Sequence, residues 1–155
     1  MIDVAKGICG DDEKHNVLEL TRLWVDDLVP RNGESFLISS GIRLLDSEII
    51  ISYADSGQSH VGTVYQATNF IYAGLTHKSG GYMIDGDSSM LKRTISDLYG
   101  SIAKAREVLG DRITTYDMPR KHRYIFFNAS KRRKRELLAK LKFEIEEYPK
   151  LSKSA

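Results

Sequence analysis

Three short apolar runs, alternating with segments of helical period, constrain this chain more than any other feature. They are VLELTRLWV (Val17–Val25), EIIISYA (Glu48–Ala54) and FIYAGLT (Phe70–Thr76). The first stops at Asp26, Asp27 and Pro30, and its mixed pattern suits a strand covered on both faces. The second is dense in β-branched residues, which fit a pleated surface. Between these two, Ser35–Leu45 places Ile38, Ile42 and Leu45 on one stripe, with Ser35 as the expected N-cap. A polar turn, Asp55–Ser59, leads into a helix near His60–Asn69. Strand–helix–strand–helix–strand with short connections predicts an α/β fold built on a largely parallel sheet.

The rest of the chain reads as an extension of that core. Tyr82–Ile84 is a short strand, and Asp87–Leu109 is mostly helical with a break near Gly100. Arg123–Phe127 (RYIFF) is a strand and Ser130–Leu141 a helix. Phe143–Tyr148 (FEIEEY) alternates like a half-exposed strand. One domain over residues 1–155 is expected, with a 17–76 core and an 87–150 extension. A hydrophobic fraction of 41% supports a real core. No apolar stretch approaches the roughly 20 residues that span a bilayer. The first residues lack the basic and apolar regions of a signal peptide. With Cys9 the only cysteine, no intrachain disulfide forms, and a cytoplasmic location is the expectation.

Net charge is +2 but unevenly spread. From Arg120 to Lys142 the chain carries ten cations against the single acid Glu136. Lys131, Arg132, Arg133, Lys134 and Arg135 fall in the first turns of the helix that Ser130 caps. Cations there oppose the helix dipole and repel one another, each at about 0.3 kcal/mol or more. A solvated helix face is one reading. The other is an anionic partner such as a nucleic-acid backbone, which relieves the conflict. Lys121 and Arg123, next to aromatic residues, extend the basic neighbourhood.

Two corners are candidate sites. Arg31, Asn32, Gly33 and Ser35 precede a helix, whose N-terminal N–H groups and dipole suit a phosphate. An ordinary strand–turn–helix corner has the same composition. Asp55 ends the second strand, and ligands of open α/β sheets sit at the carboxyl ends of strands. Tyr53 and Tyr65 flank it, although half-buried aromatics and a capping aspartate are the plainer alternative. Metal constellations are poor. His15, His60, His77 and His122 are scattered, and only Asp55 with His60, or Asp85 with Asp87, offers a pair. Cys9 has no local support as a nucleophile.

Residues 18–74 resemble the central half of a GNAT-type acyltransferase. "VYQATNFIYAG" (64–74) is similar to the GNAT segment in which a helix tyrosine precedes an asparagine or glycine, a phenylalanine and the next strand. That resemblance implies Tyr65 as the group that protonates a departing thiolate, acyl-CoA as cofactor, and Asn69 as part of its cradle. "LELTRLWVDD…PRNGES", "ISYAD…GQSHVGTVYQATNFIYAG" and "KHRYIFFNASKRRK…LLAKLKFEIEEYPK" together resemble the phage Mom-type DNA-modification family, a GNAT-like group, over roughly residues 7–150. The resemblance implies transfer of a carbamoylmethyl-type group to adenine N6 in double-stranded DNA, shielding it from restriction in a bacterial host. It places Arg22 and Ser35 at positions tied to cofactor binding or activity. Asp55 becomes a catalytic acid or metal-facing carboxylate, with iron as the implied metal. Relatives carry a longer N-terminal part, so a shortened GNAT-like sheet is expected here. Its open edge would invite a second chain or a second copy. A noncatalytic DNA- or partner-binding module on that scaffold, or an acetyltransferase of a small amine or protein, are the alternative functions.

Overall fold

The computed structural model describes residues 2–150, with side chains from Ala5 onward. Its elements run α1 (Ile2–Cys9), β1 (Val17–Leu20), α2 (Gly33–Ile42), β2 (Ile49–Asp55), α3 (Thr63–Ala67) and β3 (Ile71–Leu75). There follow β4 (Ser79–Ile84), α4 (Lys92–Tyr99), α5 (Ile102–Leu109), β5 (Ile113–Met118), β6 (Lys121–Phe127) and α6 (Lys131–Lys140). The fold is mixed α/β, as the alternation of runs predicts. Two compact units divide the chain, one of residues 1–76 with 121–155 and one of residues 77–120.

The first unit carries a four-stranded sheet in the order β1-β2-β6-β3. β1 and β2 are parallel, and Val17 lies opposite Ile49. β6 is antiparallel to β2 and to β3. β1, β2 and β3 therefore share a direction, as strand–helix–strand units require, but only one pair is directly bonded in parallel. The expected largely parallel sheet becomes a mixed one because β6 returns from late in the chain to sit between β2 and β3.

Both faces of the sheet are covered, which is why β2 reads as a continuous apolar run. On one face Ile49, Ile51, Ile125 and Phe127 pack with Ile8, Cys9 and Leu137 from α1 and α6. On the other, Ile50, Ala54, Tyr72 and Tyr124 pack with Ile38 and Ile42 of α2 and Tyr65 of α3. Asn128 donates to the Ile42 and Leu45 carbonyls, both at 3.1 Å, closing the C-terminus of α2 onto the end of β6.

Several boundaries differ from the sequence expectation. β1 has four residues, not nine, because the chain leaves the sheet after Leu20. α2 starts at Gly33, with Asn32 in the left-handed region (φ 73°), so Ser35 lies inside the helix and caps nothing. Phe143–Tyr148 is not a strand. It runs along the outer side of β3, where the Glu146 N–H donates to the Tyr72 carbonyl at 3.0 Å. The Tyr148 hydroxyl donates to the Phe70 carbonyl at 2.7 Å. That lining protects the β3 edge, whereas no described strand pairs with the outer side of β1.

In the second unit β4 and β5 form an antiparallel pair from Ser79–Met118 to Ile84–Ile113. Ile95, Ala105, Leu109 and Ile113 make its core. Gly100, at φ 82°, ends α4 at the expected break. The second unit thus holds a strand, β5, that sequence patterning does not signal.

Gly62, just before α3, shows how tightly the first unit is built. Its φ is +75°, and a Cβ there would stand 2.4 Å from the Tyr124 ring. Gly62→Ala is expected to cost about 2–4 kcal/mol by denaturant unfolding, from the left-handed backbone and overpacking together. Gly86→Ala, at φ +82° with open space around it, should cost only about 1 kcal/mol. Equal costs for the two would show that the Tyr124 contact yields freely.

Candidate functional site

The site lies at the carboxyl end of the β1–β2 pair, where open sheets bind ligands. Here a cavity of about 550 Å³ is lined by Leu23, Glu34, Tyr53, Ala54, Asp55, Ser59 to Val64 and Tyr65. Three of the residues singled out from sequence, Tyr53, Asp55 and Tyr65, border it, but the Tyr53 ring packs on the Ile49–Ile51 face of the sheet, away from Tyr65. β2 carries Tyr53 and Asp55 to the sheet's end. The tight turn that follows, with Ser59 at φ 56° and Gly62 at φ 75°, folds the chain back so that α3 presents Tyr65 to the same space. Asp55 is half-buried and accepts a 2.9 Å hydrogen bond from the Gly57 N–H, which fixes the turn. Lys121 of β6 lies directly opposite Asp55 across the strands, so a cation sits at the same end of the sheet.

Tyr65 is buried, with its ring 5.3 Å from Tyr124 and 5.4 Å from Phe70. Tyr124 donates its hydroxyl hydrogen to the Val61 carbonyl and accepts from Gln66 at 3.0 Å. The wall behind Tyr65 is thus rigid and satisfied. Burial pushes the Tyr53 phenol up, and the charge of Arg123 beside it pulls it back. Glu34 and Thr63 also line the cavity. Sequence reading missed both, since neither sits in a recognisable pattern; the only signal for Glu34 is its place in the turn with Ser35.

The expected cofactor residues are dispersed. Arg31 and Asn32 are exposed at the start of α2; no side chain caps that helix, and its first N–H, that of Gly33, donates to the Pro30 carbonyl at 3.2 Å. Gly33 is explained by packing, because a Cβ there would meet Val29 at 2.5 Å. Arg22 lines a different cavity, about 360 Å³ and almost wholly apolar, between β1 and α2 with Leu18, Leu20, Trp24, Leu37 and Leu45. Leu23 borders both spaces. Asn69 stands at the end of α3 in the left-handed region (φ 61°), where it terminates the helix rather than facing the cavity.

The basic segment is divided too. Arg123 is buried, and its Nη1 donates to the Ala73 carbonyl at 2.9 Å. Its guanidinium lies 3.8 Å over the Phe143 ring. A residue held this way presents no cation to a phosphate at the surface. Ser130 caps α6 as expected, accepting from the Arg133 N–H. Arg133, however, pairs with the buried Glu13 at 2.6 Å and with Glu48 at 2.9 Å. Arg132 reaches Glu136 at 3.7 Å. Lys131, Lys134 and Arg135 make no ion pair among the described residues. This helix begins beside Glu48 at the start of β2, while the cavity is at the other end of a seven-residue strand. The separation along the strand is about 20 Å.

Metal ligands are not assembled. Among the described residues no group of three His, Cys, Asp or Glu side chains is placed to hold an ion. Asp85 is taken up by Arg112 at 2.9 Å, and Asp87 by the Ser89 N–H at 2.8 Å. Cys9 is buried, its thiol pushed up to about 11 mainly by burial, which makes it a core residue rather than a nucleophile. No helix among the described residues is long and apolar enough to cross a membrane.

Comparison with known proteins gives the family of the chain. The chain is 31% identical over 152 residues to the methylcarbamoylase mom of Escherichia phage Mu. The match covers 90% of this chain and 59% of that protein, so the chain spans less than two thirds of the relative's length. The profile of the Mom protein family matches residues 2–150, which takes in the β1–β2 corner, the Asp55 turn and the α6 segment alike; the chain belongs to that family.

Proposed function

We propose that this chain takes part in DNA modification as a GNAT-like transferase that places a carbamoylmethyl-type group on adenine N6. The observation that carries this reading is that Asp55 and Tyr65 border one cavity at the carboxyl end of a parallel strand pair, in a chain of the Mom family. Attack by an exocyclic amine releases a proton from nitrogen. Asp55 is the carboxylate positioned to receive it, and Tyr65 a hydroxyl able to return one to the leaving group. The N6 amine of a stacked adenine cannot enter such a cavity, so the base is flipped out.

An acyl-CoA-type donor fits in part. The start of α2, which no side chain caps, suits its phosphates together with Arg31; thioester attack alone would leave an amide on N6, so the carbamoylmethyl carbon and amide nitrogen require a further reactant, to which no step is assigned. The described residues do not make an iron site, and no step is assigned to a metal. Lys121 is the cation best placed to meet a DNA phosphate beside the cavity.

Nucleoside mass spectrometry of DNA from cells expressing the chain tests the reading. Modified adenine supports it. Ordinary adenine alone, from cells in which the chain is soluble and folded, overturns catalysis by this chain. The second reading, a noncatalytic DNA- or partner-binding module, is favoured by the outer side of β1, with which no described strand pairs, and by the apolar cavity next to it.

DNA contact by α6 is separately testable. Replacing Lys131, Lys134 and Arg135 together by glutamate should weaken duplex binding and lower the slope of log affinity against log salt by about 3. An unchanged slope would make these residues an ordinary solvated face.

A further inference from the structure

α2 carries more apolar surface than its place in the fold uses. At about 100° per residue, Phe36, Leu37, Gly41, Ile38 and Ile42 follow one another around the helix over an arc of about 240°. A helix that lays one face on a core needs an apolar stripe of only about 100°. Ile38 and Ile42 are that stripe, buried against the sheet. Phe36, by contrast, is 74% exposed, and Leu44, in the turn that ends the helix, is 85% exposed. Leu28 (93%) and Trp24 (77%) join them from the passage between β1 and α2. Leu37, Trp24 and Leu18 border one apolar cavity beside the outer side of β1, with which no described strand pairs.

Gly41 is a second, independent sign. It lies inside α2 and borders the same cavity, and a Cβ there would meet nothing within 4 Å. Glycine inside a helix is destabilising relative to alanine. Nothing in the chain itself asks for one here, whereas the close approach of another backbone would.

We propose that this chain pairs with a second copy of itself through the outer side of β1 and the exposed stripe of α2. Antiparallel pairing of β1 with the partner's β1, about a two-fold axis, joins the two four-stranded sheets and sets both α2 helices on the same side. Such a contact is self-complementary and closes at two copies. The exposed apolar side chains amount to roughly 700 Å², at roughly 100–150 Å² each. That approaches the about 800 Å² each partner gives to a stable interface and exceeds the about 300–600 Å² patch of an ordinary monomer. The charges around it favour a copy over other partners. Residues 22–43 carry Arg22, Arg31 and Arg43 against Asp26, Asp27 and Glu34, all exposed. A nucleic acid calls for cations alone. A rim of both signs in balance can face its own copy without repulsion.

Sedimentation equilibrium of the full chain from about 1 to 100 µM tests the pairing. A monomer–dimer equilibrium that stops at two copies is expected. Phe36→Glu combined with Leu44→Glu, both at exposed positions, should raise the dissociation constant about a hundredfold or more, with the circular dichroism of the wild-type fold retained. Gly41→Ala should weaken association about tenfold or more and yet raise the unfolding midpoint of the dilute monomer. A chain that stays monomeric throughout overturns the proposal and leaves this surface to a different polypeptide. A dimer that survives the double substitution forms elsewhere and overturns it as well. Growth past two copies without limit rejects the two-fold contact. These readouts need no substrate. A dimeric chain that leaves adenine unmodified would reject the proposed function and leave the pairing standing.

Discussion

Asp55→Asn should lower adenine modification about a hundredfold or more, measured as the modified fraction in total DNA nucleosides. The substitution is chosen because it separates chemistry from folding. The Asp55 carboxylate accepts from the Gly57 N–H and so holds the turn that brings α3 to the cavity. Asparagine keeps an oxygen for that bond but cannot take up a proton at neutral pH. Unfolding midpoints should therefore stay close to wild type while modification is lost. A variant that modifies adenine at the wild-type level would remove Asp55 from the proposed proton path. Tyr65→Phe is less clean, since its buried ring packs against Phe70 and Tyr124.

A second large effect, on stability, is expected at Glu13. This carboxylate is buried and accepts from Arg133 at 2.6 Å, from Lys140 at 2.6 Å and from Asn16 at 3.0 Å. These partners, led by Lys140, hold it down at about 2, well below the ordinary carboxylate range. Glu13→Ala removes the shared partner of Arg133 and Lys140, leaving Arg133 to Glu48 and Lys140 to Asp12. A fully buried pair broken on one side costs about 3–5 kcal/mol. Arg133 and Lys140 are 26% and 39% exposed, so water screens part of this. About 2–3 kcal/mol is the expected loss, or about 5–10 °C in Tm.

The same site sets an acid limit. Because the folded carboxyl titrates below the unfolded one, its stabilisation is complete above the unfolded value of about 4.5. It is lost as pH falls toward about 2. Denaturant unfolding of wild type and Glu13→Gln should therefore differ most at neutral pH and converge at pH 2–3. A gap that persists unchanged at low pH would mean that Glu13 acts through packing rather than charge.

Much of the first unit was legible because its strands are local patterns. Ile49–Ile51 announces itself by β-branched density and Phe70–Thr76 as a short apolar run, and in the second unit Gly100 marks the break in a helical stretch. Asp55, Tyr53 and Tyr65 were legible for a related reason, since all three lie within one strand–turn–helix passage. Features that depend on distant partners were not. Nothing around Arg133 signals that Glu13, 120 residues earlier, absorbs its charge. Arg123 reads as a surface cation because the bulge at Ala73 that buries it belongs to another strand. The α1 helix escapes notice because Ile8 and Cys9 declare an apolar face only against Leu137. Ser35 misled as a cap because Asn32, in the left-handed region, had already turned the chain into the helix.

The insertion of β6 between β2 and β3 has a consequence for synthesis. β3 has no neighbour in the sheet until β6 arrives. Between Leu75 and Phe127 the translating ribosome must add 52 residues (127 − 75), including the whole second unit. At about 5–20 residues per second that is an interval of about 3–10 s. During it β2 and β3 are made but lack the strand that joins them, and the apolar faces of Ile49–Ile51 and Phe70–Ala73 wait uncovered. The second unit, whose contacts are local, is free to fold in the meantime. Nascent chains stalled between residues 85 and 120 are therefore the stage at which chaperones should hold this protein most strongly.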